Sequence, residues 1–382
     1  MGWLNACSSG QTALKRGRFD QAVQRAAHRL NQRPGLSQRG HGTATWVLQR
    51  AFVRAYEQHQ NRIRYLSAQP AALPAGPFRW EDVNHEYEQL QTLTDNARRC
   101  VACAEWLSAY PASYADRLRE TRTLAAADRY EAAEAQFVRR ETDRSAAKAA
   151  YLNYQKAQEW VPDYQQAAAK ATKALPFALL RVVVEPLSPT AQLSPADNAE
   201  LSTLILKQIG QAAAPSPFVR LYPPDESAGD GFALHQTVQI RVTDYTPYRE
   251  TNTSSSTTVY STQTYKVGEK KINDSTKVDI LERVSGTLTT YRREVSAGLT
   301  LYLRAVDLAT GAVRWTDTVA ESRNWATEWQ TFSGDERALN GESLKRADPF
   351  APSPGAFYAG MRDELATDVI RRLRKRYAND YP

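Results

Sequence analysis

Three cysteines, an odd number, exclude a closed framework of disulfides in this 382-residue chain. No apolar run reaches the ~18 residues that a membrane-spanning helix needs, so no segment crosses a bilayer in that form. GxSxG, HExxH, Walker A and GxGxxG patterns are all missing, and the histidines (His28, His41, His59, His85, His235) are scattered. Without a nucleophile, metal-ligand or phosphate-loop pattern, the sequence points away from an enzyme. No catalytic residue, cofactor or metal is expected. One acid-rich turn, Gly334-Asp335-Glu336-Arg337, follows Trp325, Trp329 and Phe332. It reads as an ion-paired loop tethering those aromatics, with general acid–base work as the alternative.

What is present is an ordinary globular balance, 42% hydrophobic and 24% charged, enough for two separate cores. The net charge of +7 is spread along helix faces among acids, which reads as solvated surface. Its one dense run, Arg371-Arg372-Leu373-Arg374-Lys375-Arg376, suits the C-terminal end of a helix, where cations meet the negative pole of the macrodipole. No aromatics interleave with it, so nucleic acid is not expected as a partner. An acidic protein or anionic lipid surface stays open.

The pattern changes near Leu175. Before it the chain is rich in Ala, Arg and Gln at helical spacing; after it Val, Thr and Tyr alternate at a period of two. The expected fold is α+β in two domains, a helical array over 11–175 and a mixed sheet domain over 176–382, with 1–10 as an anchor segment. Long helices are expected over Thr45–Leu66 and Trp80–Leu107, separated by a Pro/Ala loop at 68–77.

Three segments in the front half share a spacing: Gly17, Phe19, Ala22, Ala26 and Pro34; then Tyr130, Ala133 and Phe137; then Ala150, Tyr154, Ala157 and Pro162. Small residues let two helices approach, an aromatic fills the gap, and proline ends the hairpin. This resembles the tetratricopeptide (TPR) repeat, which implies hairpins stacked into a groove for a peptide or protein. Cys100-Val101-Ala102-Cys103 falls inside the second long helix. A redox motif would need a preceding strand and a helix N-terminus at the first cysteine, and His85 is the nearest further ligand for a metal. Idle buried thiols are the expectation, with a local disulfide and metal or redox chemistry as alternatives.

In the rear half, Pro176 and Pro186 flank the β-branched run Leu179–Val184, which reads as a strand. Ser194-Pro195 opens a helix, and strands follow at 218–222 and 237–242. Strand Val295–Ala305 meets a returning strand, Ala312–Val319, through the turn Asp307–Gly311. A final helix, about Ala356–Tyr377, carries the apolar stripe Phe357, Met361, Leu365, Ile370 and Leu373. Between Asp244 and Arg293 lies a Thr/Ser/Tyr-rich insert, read as a long two-stranded aqueous β extension or projecting loop over 244–293. Its two faces lack the apolar alternation of a barrel strand. Tyr245, Tyr248, Tyr260 and Tyr265 are its candidate partner-binding residues.

Val306-Asp307 with Thr310-Gly311, at the end of a strand–helix–strand–strand order, resembles the periplasmic domain of the curli secretion channel lipoproteins over 178–320. Segments Lys156-Ala157, Val161-Pro162-Asp163-Tyr164, Leu288–Val295 and Phe332–Leu339 are similar to uncharacterised TPR-containing lipoproteins of the Bacteroidota. Leu4-Asn5-Ala6-Cys7 resembles a lipobox, which makes Cys7 the expected lipid attachment residue. No basic and apolar leader stands before Cys7, so either the start codon is late or Cys7 is an incidental thiol. The resemblances imply a non-enzymatic envelope lipoprotein, on the outer membrane and facing the periplasm. It would meet the membrane by its lipid anchor alone, and protein or peptide partners through the helical groove and the ribbon. The alternative is an oligomeric pore or secretion accessory related to the curli channel.

Overall fold

A computed structural model describes residues 9–31, 38–69, 78–227, 231–273, 275–348 and 350–378, and of 38–40 and 227 the backbone alone. The fold is mixed α+β, 50% helix and 29% strand, and the chain divides into two compact units after Leu179. Among the described residues no helix is long and apolar enough to cross a membrane.

The first unit is helical. α1 (Gln11–Lys15) turns at Gly17, whose φ of 71° suits a residue without Cβ, into α2 (Phe19–Leu30). α3 (Gln38–Ala68) and α4 (Arg79–Arg98) pack beside it. Ala22 and Ala26 of α2, Ala51 and Ala55 of α3 and Ala97 of α4 are fully buried, so these backbones lie close. Phe52 fills the remaining space and meets Trp106 and Tyr110 edge-on, at 5.3 and 5.0 Å between centroids.

The second long helix breaks where one continuous helix was expected. α4 stops at Arg98, and Cys100 adopts an extended conformation (φ −90°, ψ 99°). Val101–Cys103 then makes a single 3₁₀ turn before α5 (Ala104–Leu107). Cys100 and Cys103 are joined in a disulfide, with Cα atoms 5.2 Å apart, so they are not idle thiols and do not lie within one continuous α-helix.

α6 (Ala115–Phe137), α7 (Arg144–Trp160) and α8 (Ala167–Ala178) follow, each packed on its neighbour in sequence. α8 continues through Pro176, which the sequence reading had placed outside the helix. Ala133, Ala150, Tyr154, Ala157, Ala171 and Ala174 form their core. Glu81 of α4 links this group to the preceding helices. It accepts from Arg129 at 2.6 and 2.9 Å and from the Trp160 indole at 2.8 Å. Burial pushes the Glu81 pKa up, but those hydrogen bonds outweigh it and hold the carboxyl below its usual value.

The second unit is a five-stranded sheet in the order β2-β1-β3-β4-β5. β1 (Leu180–Val184) crosses through α9 (Pro195–Gln211) to the parallel β2 (Val219–Tyr222). Ser194 caps α9 by accepting from the Asp197 amide, with Pro195 in the first turn. After α10 (Pro224–Ser227), β3 (Gln236–Lys271) pairs parallel to β1 over Gln236–Val238. β4 (Lys277–Asp307) and β5 (Val313–Gly334) then run antiparallel. α11 (Pro354–Tyr377) closes the chain.

α9 and α11 cover one face of the sheet. Leu201, Ile205, Leu365, Val369 and Leu373 bury against Val182, Val238, Ile240, Leu299, Leu301 and Leu303. The β4–β5 turn is held by Asp307, which accepts from the Ala309 and Thr310 amides. The Arg314 guanidinium beside it, helped by Thr310, pushes the Asp307 pKa down to about 2.

Over 244–293, β3 and β4 pair antiparallel as the expected two-stranded extension, and β5 adds a third strand beside part of it. β3 and β4 run into it from the domain sheet through register shifts at Val242/Asp244 and Thr246/Arg249, and β5 accompanies them until Gly334 pairs with Gly286. The returning strand had been expected to end at Val319. It continues because Trp325, Trp329 and Phe332 each find a surface on the sheet. Trp325 packs on the cluster of Val295, Ala297, Phe357 and Met361, and Trp329 stacks on Tyr291 at 5.3 Å. Phe332 lies over Gly286, where a Cβ would come within 2.1 Å of the ring.

Candidate interaction surface

The three strands leave the helix-covered root as an arm. β3 alone is 36 residues long, which at ~3.3 Å per residue is roughly 110–120 Å of extended chain. Thr, Ser, Val and Tyr dominate it, residue types that suit a pleated surface whether or not a core lies beneath. From Arg249–Ser296 to Tyr260–Ser285 the β3–β4 register is uninterrupted.

Its direction can be assigned. The Asp335 amide donates to the Ser285 carbonyl at 3.3 Å, so Ser285 faces β5. Tyr260, opposite Ser285, therefore turns its own N–H and C=O away from β4. By alternation, Asn252, Ser254, Ser256 and Thr258 also aim their backbone groups outward. Beyond Val238 no strand among the described residues pairs with that side of β3, and Thr251–Tyr265 contains neither charge nor proline. On the opposite border, residues 345–348 shield part of β5: Gln330 N–H donates to the Lys345 carbonyl and the Asp348 amide to Thr327 Oγ1.

A hydrogen-bonded knot interrupts the β3–β4 ladder of the arm. Register shifts between Tyr260 and Thr264, and Ser261, fully buried, donates to the Gln263 carbonyl while accepting from the Val284 amide at 3.1 Å. The chain after β5 returns through a 3₁₀ turn (Glu336–Leu339) to Asn340. Asn340 accepts from Thr262 N–H and donates to the Tyr260 carbonyl. Past the knot, β3 and β4 continue as a two-stranded hairpin with exposed Val267, Ile272, Val278 and Leu281.

The four tyrosines separate. Tyr245 is half-buried against the root core, and burial, with Asp197, pushes its pKa up. Tyr248 donates to the Pro352 carbonyl and meets Phe357 edge-on, so its ring is engaged inside the unit. Tyr260 stays 59% exposed, and Tyr265 lies under the Arg337 guanidinium at 4.5 Å. Cys7 falls outside the described residues. The alternating burial of β4 was readable from the sequence; the outward-facing edge of β3 was not, because it depends on what pairs with it.

Two charged features bear on chemistry. Asp335 caps the 3₁₀ turn and binds Arg337 at 2.5 Å, which holds its carboxyl below the usual value. A trough of about 550 Å³ between β5 and α11 is lined by Glu321, Arg323, Asp363, Glu364, Asp368 and Arg371. Arg323 pairs with Glu364 and Arg371 with Asp368, each at 2.5 Å. Burial, then Asp368 and Glu364, raise the Glu321 pKa. Four acids and two arginines make the trough net acidic, with two ion pairs along it.

The fold and this surface define a two-unit α+β protein that carries a long β arm with an open strand edge. No model of a known protein family matches the sequence, and no curated protein is similar to it.

Proposed function

We propose that this chain is a non-enzymatic interaction protein that takes up a polypeptide partner by strand addition along β3. The observation that carries this reading is the outward row of backbone groups at Asn252, Ser254, Ser256 and Thr258 in a tract without charge or proline. Sheet edges left this open are ordinarily blocked by lysine, proline or a bulge, and an extended peptide binds them through main-chain hydrogen bonds. Tyr260 supplies an aromatic contact beside the edge. The helical unit serves as a TPR-like docking trough, and Cys7 anchors the protein to the envelope, on the outer membrane facing the periplasm. The Cys100–Cys103 disulfide supports an oxidising compartment.

A photo-crosslinking residue in place of Asn252, in the full-length protein in native envelopes, tests the edge. The expected adduct contains a polypeptide and is lost when Ser254 and Ser256 are both replaced by proline. Those two positions do not donate to β4, so the β3–β4 ladder stays intact. An adduct indifferent to the prolines, or none at all, sinks the reading.

A second reading has one observation in its favour: in the arm, beyond the pairing with β1, β3 borders the sheet on one side and β5, partly covered by residues 345–348, borders it on the other. Copies joined β3 to β5 would form a head-to-tail oligomer, as a pore or secretion accessory requires. Light scattering of the full chain in detergent separates the two, since a monomer excludes the second.

A further inference from the structure

His59 lies on α3 with a side chain only 10% exposed, between two carboxylates from different helices. Its Nε2 is 3.0 Å from Asp20 Oδ1 on α2, and its Nδ1 is 2.6 Å from Glu86 Oε2 on α4. A neutral imidazole has one N–H and cannot donate to both. Only the imidazolium satisfies the two contacts, and it places one positive charge between two acids. We propose that His59 is a proton-operated clasp: its protonated ring ties α2 and α4 to α3, and loss of the proton releases α2.

Asp20 from α2 and Glu86 from α4 are the charged groups that act most strongly on the ring. Burial favours the neutral ring, but the hydrogen bonds and charges of the two acids outweigh it, so the pKa lies above the ordinary 6.5. The sign follows. A folded-state pKa above the unfolded value gives stabilisation that is complete below pH 6.5 and disappears as pH rises through the folded value. The clasp is shut in acid and opens toward alkaline pH. Release acts on α2 first, because Asp20 is half exposed and reaches α3 from the unit's first hairpin, whereas Glu86 sits in the longer α4.

The test uses the full chain and two readouts. Proton NMR of the histidine Cε1 resonances, assigned with H59Q, is expected to show His59 titrating above 6.5. Hydrogen exchange of α2 at pH 6.0 and 8.5, corrected for intrinsic rates, is expected to show more frequent opening at the higher pH. In D20N, whose position is exposed enough to tolerate the change, that pH response is expected to vanish while α2 stays folded. A ring titrating at or below 6.5, equal α2 protection at both pH values, or an undiminished response in D20N overturns the proposal.

Discussion

The root and the arm of the sheet share the three strands β3, β4 and β5 and differ in what lies on them. At the root, Val295, Ala297, Leu299, Leu301, Leu303 and Ala305 of β4 are each almost fully buried, alternating with half-exposed neighbours. In the arm the same strand buries Val284 and Gly286 and leaves Leu281, Glu282, Arg283, Ser285 and Thr287 exposed. The ladder continues across both. A core therefore stabilises the root, whereas the arm depends on backbone pairing, β-favouring side chains and cross-strand contacts such as Arg293–Glu250 at 2.7 Å and Tyr291–Trp329. Exposure of both faces is tolerated because Thr and Ser leave little apolar surface to hide.

Truncation in the root breaks this contrast most severely. Leu301→Ala removes a fully buried side chain and is expected to cost about 2–5 kcal/mol, read from denaturant unfolding of the whole chain. Next comes Gly286→Ala in the arm. The added methyl collides with the Phe332 ring, with an expected cost of about 1–3 kcal/mol. That loss should show as faster hydrogen exchange over 284–290 and 330–334, with root amides unchanged. The smallest effect is expected from Thr257→Ala on the exposed ladder, under about 1 kcal/mol by the same exchange measurement. If Thr257→Ala matched Leu301→Ala, the arm would have a hidden core and the contrast would fail.

The legible parts of the fold are those where a side-chain period meets a local signal. Ser194-Pro195 marked the start of α9, and the Leu299–Leu301–Leu303 alternation marked the buried face of β4. The stripe from Phe357 to Leu373 marked α11. The break after Arg98 carries no glycine or proline and depends on a bond between two cysteines, so helical periodicity read straight across it. The extent of β5 was hidden because Glu321–Asn324 is polar, and the aromatics that follow lie against Val295, Tyr291 and Gly286, all distant in sequence. Of the candidate surface, the Thr/Ser tract and the tyrosines were visible. Which tyrosines the root consumes, and which backbone groups point outward, depends on tertiary neighbours.

The knot at Ser261 bears on how the chain reaches this arrangement. Joining β3 to β4 at the Ile272–Thr276 turn closes a short loop, whereas starting from Gln236 and Asp307 encloses all the chain between, and each doubling of loop length costs about 0.6 kcal/mol. Zipping from the tip is therefore entropically cheap, but the Ser/Thr tract penalises a one-residue slip only weakly, since neither face is sorted by a core. An irregularity that fits only where Val284 meets the Ser261 hydroxyl stops such a slip before it travels to the root. A misaligned hairpin thus fails at the knot, while the wrong pairing is still short enough to come apart.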